Sequence, residues 1–318
     1  MDRRGTRIRL LKLGAALALC QAAAAATPAP ELRAARWLAP EARIRALSER
    51  PAECFVPPGD PQQRASAEIG RAAFRTPLLL GGQAARAGLS CESCHRAGRG
   101  NPDFLFAGLS GAPGTADVTS SLMSSHRGNQ RFDPVPIPDL ALPGKIPRDA
   151  GGTALRDFIR GLIVEEFDGA EPPERVLDGV VAYVRAIDGR SCGAETAIAL
   201  ADQLDDIARA RGAALQALAL EDRATARLML SAMRTALGLI DERYPGPAFE
   251  RHRRTLRTAD RDLLAIQHAL DRGDSRTSAR LEHWEQGAED WIPALRRDEP
   301  RSLYDAERLR LALQDGDD

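Results

Sequence analysis

The residues of this sequence best suited to chemistry are two cysteines and a histidine in the segment Cys91-Glu92-Ser93-Cys94-His95. The spacing is C-x-x-C-H, in which each of the two thiols can form a thioether with one vinyl group of a haem. The histidine that follows then lies beneath the iron as its proximal ligand. The sequence therefore predicts one covalently attached haem c, with Cys91 and Cys94 as attachment sites and His95 as an iron ligand.

Two other uses of a C-x-x-C pair fit this sequence less well. A zinc site needs a second pair of Cys or His ligands, but the next cysteine, Cys192, stands alone. A thioredoxin-type motif accompanies a strand of a βαβ unit, whereas residues 81–90 are mostly small and show no strand pattern. Haem attachment is therefore the favoured interpretation.

The first 26 residues have the composition of a secretory signal. Basic residues precede an apolar, alanine-rich run over 13–26, and the alanines at 24–26 offer a cleavage site. The run is short for a permanent membrane span, so we expect no stable span after cleavage. Cys20 follows a bulky Leu19 where a lipoprotein signal requires a small residue, so we expect Cys20 to leave with the signal. Export to the periplasm agrees with the motif, because haem is attached to C-x-x-C-H outside the bacterial cytoplasm.

Two further cysteines remain after cleavage, Cys54 before the haem segment and Cys192 after it. An oxidising compartment favours a disulfide between them. The alternative is two free thiols, because the sequence does not give their distance in space. A bridge would close a loop of more than a hundred residues, which is worth about 4 kcal/mol through restriction of the unfolded chain.

The composition favours a soluble protein built from helices. Of 318 residues, 43% are hydrophobic and 28% are charged, and the length suggests two domains. Aromatic residues make up 4%, whereas alanine, leucine and arginine, which all favour helices, are abundant. The net charge of −1 gives no basis for binding nucleic acid or a membrane surface. We therefore expect an all-α fold.

Changes in composition divide the chain into four segments. We expect a signal peptide over 1–26, an N-terminal extension over 27–65, a cytochrome c haem domain over 66–192 and a helical bundle over 193–318. Residues 96–152 are rich in glycine, proline and serine, and so long a loop is unusual in a compact domain. A haem would explain it, since the macrocycle supplies an apolar centre that loops can wrap. The apolar residues available to line it are Leu105, Phe106, Leu109, Leu122, Phe132, Ile137 and Leu140.

Helical periodicity follows this loop and fills the C-terminal part of the chain. Apolar residues of 153–167 fall at i, i+3, i+4 and i+7, and the prolines at 172–173 begin a second helix. From residue 193, long apolar stripes predict four or five antiparallel helices, with a break near Arg211 and Gly212. We expect this bundle to serve as a docking or oligomerisation module.

The residue on the second face of the iron would decide the chemistry. Met123 and His126 are three residues apart, so they would share one face of a helix and either could reach the iron. Methionine would give a six-coordinate electron carrier of raised potential, and histidine a lower-potential carrier or an acid–base group over an open iron. A third alternative is that neither binds. We take Met123 as the expected distal ligand and His126 as the alternative, and we expect the second nitrogen of His95 to donate to a carbonyl in the turn 100–102.

The segment 68–190 resembles a c-type cytochrome domain of the di-haem cytochrome c peroxidase (MauG-like) superfamily. The similarity rests on short stretches at residues 69–74, 89–95 and 136–140, and the late stretch 176–187, with 181–185 at its centre, resembles the closing helix of cytochrome c domains. The resemblance implies a cytochrome c-like domain closed by the last of these stretches. Peroxidases of this superfamily carry two C-x-x-C-H motifs, so that one haem stores an electron while the other meets peroxide. This chain has one motif.

These features together predict an exported mono-haem cytochrome that transfers electrons to or from a periplasmic redox partner, its iron cycling between ferric and ferrous states. Two alternatives remain open. A peroxidase-like enzyme would leave the distal site open for peroxide. A haem-based gas or redox sensor would use the C-terminal bundle as its output or docking module.

Overall fold

The structure is a computed structural model that describes residues 32–119, 122–125, 131–148 and 152–314. The signal segment predicted over 1–26, with Cys20, and the alternative ligand His126 lie outside these ranges. Within them, the protein is mostly helical, and the coarse prediction of an all-α class is confirmed. No helix of the described ranges combines the length and the apolar character that crossing a membrane requires.

The helical elements follow one another with few strands between them. The α-helices are α1 (Arg43–Ser48), α2 (Pro61–Phe74), α3 (Gly82–Ala87), α4 (Cys91–Cys94), α5 (Ala154–Gly161), α6 (Glu174–Arg185), α7 (Leu200–Ala219), α8 (Arg223–Arg243), α9 (Glu250–Asp271), α10 (Thr277–Asp298) and α11 (Ala306–Gln314). A π-helical turn, Leu162–Glu166, extends α5. Short 3-10 turns lie at Arg33–Trp37, Pro40–Ala42, Pro77–Leu79, Arg96–Gly98, Gly189–Ser191, Pro247–Phe249 and Glu299–Arg301.

Within the described ranges, four two-residue strands form two antiparallel ribbons. In one, β1 (Glu49–Arg50) pairs with β4 (Thr196–Ala197). In the other, β2 (Thr115–Ala116) pairs with β3 (Val135–Pro136), which joins two parts of the long loop between α4 and α5. The strands are too short to form a layer of their own, and they serve to fix loops between helices.

Helices α2 and α6 form the framework beside the C-x-x-C-H segment. Asp60 caps α2 by accepting a hydrogen bond from the backbone N–H of Gln63 at 2.8 Å, and Pro61 occupies the first turn. The two helices cross at Gly70 and Gly179, where their backbones touch because neither residue has a side chain. This close crossing places the buried face of α6 directly behind α2.

Part of the N-terminal extension packs against the end of the chain. Leu38 and Leu47 form a small apolar cluster with Leu303 and Leu309, outside the main core. The buried guanidinium of Arg243 donates to the backbone carbonyls of Leu47 and Leu303, at 2.8 and 2.7 Å. One side chain of α8 therefore fastens the extension and the C-terminal segment together.

The four long helices α7 to α10 pack on one another in chain order, and α10 also returns to α7. The break predicted near Arg211 and Gly212 is wrong, because α7 continues through both residues to Ala219. A glycine inside a helix costs only about 1 kcal/mol, and the flanking Ala210 and Ala213 are buried. Helix α7 shares a single apolar core with α2 and the C-x-x-C-H segment.

Candidate haem-binding site

The C-x-x-C-H segment forms a single helical turn that its own serines stabilise. The Ser93 hydroxyl accepts from the backbone N–H of Ser90 at 3.1 Å, and the N–H of Ser93 donates to the backbone carbonyl of Ser90 at 3.0 Å. The N–H of His95 donates to the carbonyl of Cys91 at 2.8 Å. Residues three apart on a helix lie on the same side, so Cys91 and Cys94 are presented together.

All three residues of the motif line one cavity of about 410 Å³. Its walls are almost entirely apolar. They come from α2, from α6, from α5 with its π-turn, and from the loops around Leu109 and around residues 135–140. The apolar side chains include Phe74, Leu80, Leu89, Leu109, Val118, Ile137, Leu140, Leu155, Phe158, Ile159, Leu162, Ile163, Phe167, Val180 and Val184. A concave apolar site with a few convergent polar groups is typical of cofactor binding.

His95 is held with one ring nitrogen fixed and the other free for a metal. Its Nδ1 lies 3.1 Å from the carbonyl oxygen of Pro138. A carbonyl can only accept, so Nδ1 carries the proton and Nε2 keeps its lone pair. Burial lowers the pKa of His95 to about 4, although the Pro138 carbonyl opposes this shift. The imidazole is therefore neutral at neutral pH, which is the form that binds a metal.

The prediction that the acceptor for His95 lies in the turn 100–102 is wrong. That turn instead contributes Asn101, whose side chain donates to the carbonyl of Ser93 at 2.8 Å. The loop 136–140 reaches His95 because Arg99 Nε pairs with Asp139 Oδ2 at 2.7 Å. An ion pair between residues 40 positions apart in sequence thus holds in place the loop that carries the accepting carbonyl of Pro138.

The two thiols of the motif are unpaired and half-buried. Burial raises the pKa of Cys91 and of Cys94 to about 12 each, so both are protonated at neutral pH. Two free thiols and a neutral imidazole on one wall of an apolar cavity are the groups that a haem c requires. The residues present therefore fit the cofactor that the motif implies.

Cys54 and Cys192, outside the motif, form a disulfide. Their Cα atoms lie 4.4 Å apart, and they are 138 residues apart in sequence. Nearby, Phe55 and Ile187 form an isolated β-bridge. The disulfide joins the segment before α2 to the segment after α6. The part of the chain that lines the cavity therefore lies within one covalently closed loop.

Met123 does not lie in the cavity wall. It is 2% exposed and belongs to the main apolar core, but it is not among the side chains that line the cavity. The neighbouring Ser125 donates from its backbone N–H to the Asp168 carboxylate at 2.9 Å, which ties this segment to the end of the π-turn. Met123 can bind an iron in the cavity only if this segment moves so that the thioether sulfur enters the cavity.

Lys145 is a lining residue that the sequence analysis missed. It is exposed at the cavity, and it is the only charged side chain in the described lining besides the titratable residues of the motif. The signal was present in the sequence: Lys145 is one of only two lysines in a chain whose other cations are arginines. An ammonium at the cavity mouth suits an anionic group such as a haem propionate.

A buried ionic cluster lies behind the motif. Glu53 accepts hydrogen bonds from Arg71, from Arg75 Nη2 at 3.0 Å and from the hydroxyl of Tyr183 at 2.6 Å. Arg75 also lies 3.7 Å from the carboxylate of Glu92, the second residue of the C-x-x-C-H segment. Burial raises the pKa of Glu92, with Arg75 opposing the shift. The cluster therefore links the C-x-x-C-H segment to α2 and α6.

Comparison with known proteins identifies no relative of this chain. The chain matches no protein-family model, no curated protein and no solved structure. The resemblance to the di-haem peroxidase superfamily therefore remains a prediction from the sequence.

Proposed function

We propose that this protein is an exported mono-haem c-type cytochrome that transfers electrons in the periplasm. One observation carries the proposal: Cys91, Cys94 and His95 line the same apolar cavity, and the Nε2 of His95 is left free. On this proposal, residues 66–192 form a cytochrome c-like domain, followed by an antiparallel helical bundle over 193–318. The partner would be a periplasmic redox protein.

The bound haem would supply an iron that accepts and releases one electron. The protein's own residues hold and tune that group. Cys91 and Cys94 anchor it, and His95 binds the iron with its ring orientation fixed by the Pro138 carbonyl. The apolar walls exclude water and disfavour the more highly charged ferric state, which raises the reduction potential. Because the motif cysteines are only half-buried, one edge of the group would lie near the surface for electron exchange.

The character of the cavity supports electron transfer over peroxide turnover. Cleavage of peroxide needs a distal group that moves protons. Among the described residues, the cavity lining consists mainly of leucine, isoleucine, phenylalanine and valine side chains, and Lys145 lies exposed at the cavity. The peroxidase-like alternative therefore has less support from the site than the electron carrier.

A haem-based sensor is a second candidate, and one observation favours it. Met123 is buried outside the cavity wall, so the sixth position of the iron could stay open for a gas molecule. An apolar distal pocket suits a small apolar ligand such as CO. The two candidates differ in what binds the iron on its second face.

Absorption spectra of the haem-loaded protein, ferric and ferrous, with and without CO, separate these candidates. We expect a low-spin ferric spectrum with a methionine–iron charge-transfer band, which Met123→Ala removes. Met229→Ala is the matched control, since Met229 is another fully buried methionine, on α8, and its loss leaves the band in place. A high-spin ferric spectrum with ready CO binding contradicts the electron carrier and favours the sensor.

A further inference from the structure

The outer groove between α9 and α10 has the features of a second binding surface, apart from the haem site. It encloses about 830 Å³ and runs between two helices of 22 residues each. Helices of this length extend about 33 Å. The groove is therefore long and open, unlike the compact cavity beside the motif.

The groove is positively charged at both ends. Arg251 and Arg254 line one end, and no carboxylate of the described chain pairs with either. Arg276 and Arg280 line the other end and share one carboxylate, that of Asp274, at 3.3 and 3.1 Å. Only one acidic side chain, Asp262, is among the described lining residues. Charge complementarity therefore favours an acidic ligand.

Two tryptophans lie side by side at the groove, Trp284 buried and Trp291 partly exposed. The indole N–H of Trp284 donates to the carbonyl of Ala259 at 3.0 Å, which fixes the ring. Trp291 packs edge-on against it, with ring centroids 6.4 Å apart. The chain has three tryptophans, and two of them lie here. Tryptophan and arginine are the residues that most often dominate the energy of protein interfaces.

The shape of the groove suits a helix. Its exposed residues include Ala265, Ala279 and Gly287, which are small and lie on both helices. A side chain added at Gly287 would meet nothing within 4 Å. Small residues let a third helix approach closely and lay its apolar face against the tryptophans.

We propose that the groove between α9 and α10 binds an acidic amphipathic helix of a partner protein. The apolar face of that helix covers Trp284 and Trp291, and its carboxylates pair with Arg251 and Arg254. The proposal does not depend on the haem, because none of the groove residues lines the haem cavity.

The test uses the full-length protein and a synthetic helical peptide of about 20 residues, with leucine and alanine on one face and glutamate elsewhere. Calorimetry is expected to show saturable binding with one peptide per chain. Arg251→Glu with Arg254→Glu, or Trp291→Ala alone, should weaken this binding roughly tenfold or more. Arg257→Glu with Arg296→Glu is the matched control: it makes the same change in net charge on α9 and α10, outside the groove, and should leave binding within about twofold.

Three outcomes overturn the proposal. One is the absence of peptide binding by a protein that circular dichroism shows to be folded. Another is equal binding of a scrambled acidic peptide whose leucines share no face, which would show attraction by charge alone. The third is binding to vesicles of an anionic phospholipid, lost in the groove variant, in place of binding to the peptide. That result would assign the groove to a membrane surface.

Discussion

Replacing Gly70 by alanine is expected to destabilise the protein by about 3 kcal/mol or more. A Cβ atom at this position would lie 1.9 Å from the carbonyl oxygen of Gly179, across the contact between α2 and α6. That neighbour is backbone, so only separation of the two helices can relieve the overlap. Alanine gains about 1 kcal/mol over glycine in helix propensity, which is much less than the cost of the overlap. Phe74 on α2 and Val180 on α6 line the cavity, so its walls would part as well.

Gly212→Ala is the matched control for this effect. Gly212 lies within α7, and a Cβ atom there would meet nothing within 4 Å. We expect this variant to be more stable than wild type by about 0.5–1 kcal/mol. Urea unfolding followed by circular dichroism measures both changes. Equal effects of the two substitutions would contradict the backbone contact between α2 and α6.

Glu53→Gln is expected to destabilise the protein by about 3–5 kcal/mol at neutral pH, the cost of leaving buried charges without their partner. The Glu53 side chain is 11% exposed and lies between Arg71 and Arg75, whose side chains are 20% and 14% exposed. Glutamine keeps the shape but removes the charge. Arg75 would then depend on Glu92 and Asp206, which lie farther away at 3.7 and 3.8 Å.

The buried cluster around Glu53 also predicts that the stability of the protein depends on pH. Burial alone would raise the pKa of Glu53, but Arg75, Arg71 and the Tyr183 hydroxyl outweigh it and hold the pKa well below the ordinary value of 4.5. Because the pKa is lower in the folded state, the stabilisation is fully present above pH 4.5 and is lost as the pH falls below it. Glutamine does not titrate, so the difference in unfolding free energy between wild type and Glu53→Gln should narrow in that range.

Glu307→Gln serves as the control for Glu53→Gln. Glu307 pairs with Arg310 at 2.5 Å on the surface, and exposed pairs of this kind contribute little. We expect no measurable change in stability from this variant. A comparable loss from both variants, or a difference between wild type and Glu53→Gln that does not vary with pH, would contradict the account of the buried cluster.

The sequence was most informative where the structure is set by neighbouring residues. The C-x-x-C-H motif brings Cys91 and Cys94 to one side because they share a single helical turn. The apolar spacing in 153–167 predicted α5, whose Leu155 and Ile159 line the cavity together with Leu162 of the following π-turn. Both features depend on local periodicity, which is read directly from the order of residues.

Features set by distant contacts could not be predicted in the same way. The Pro138 carbonyl accepts a hydrogen bond from His95 because an ion pair between Arg99 and Asp139 holds its loop in place. No local sequence pattern predicts that ion pair. Of the seven apolar loop residues expected to line a haem, Leu109, Ile137 and Leu140 line the cavity. The positions of the other four depend on how the loop closes. The helix α7 was expected to break at Gly212, but packing of its alanines outweighs the propensity of one glycine.

The most direct test of the central claim asks whether haem stays on the polypeptide after denaturation. The full-length protein is produced in a bacterium that exports it and attaches haem c, and is then unfolded, stripped of non-covalent ligands and examined by absorption and mass spectrometry. We predict one haem per chain for wild type and for Cys54→Ser with Cys192→Ser, and none for Cys91→Ser with Cys94→Ser. A wild-type chain without covalent haem, or haem retained by the Cys91 and Cys94 variant, would contradict the assignment of this site.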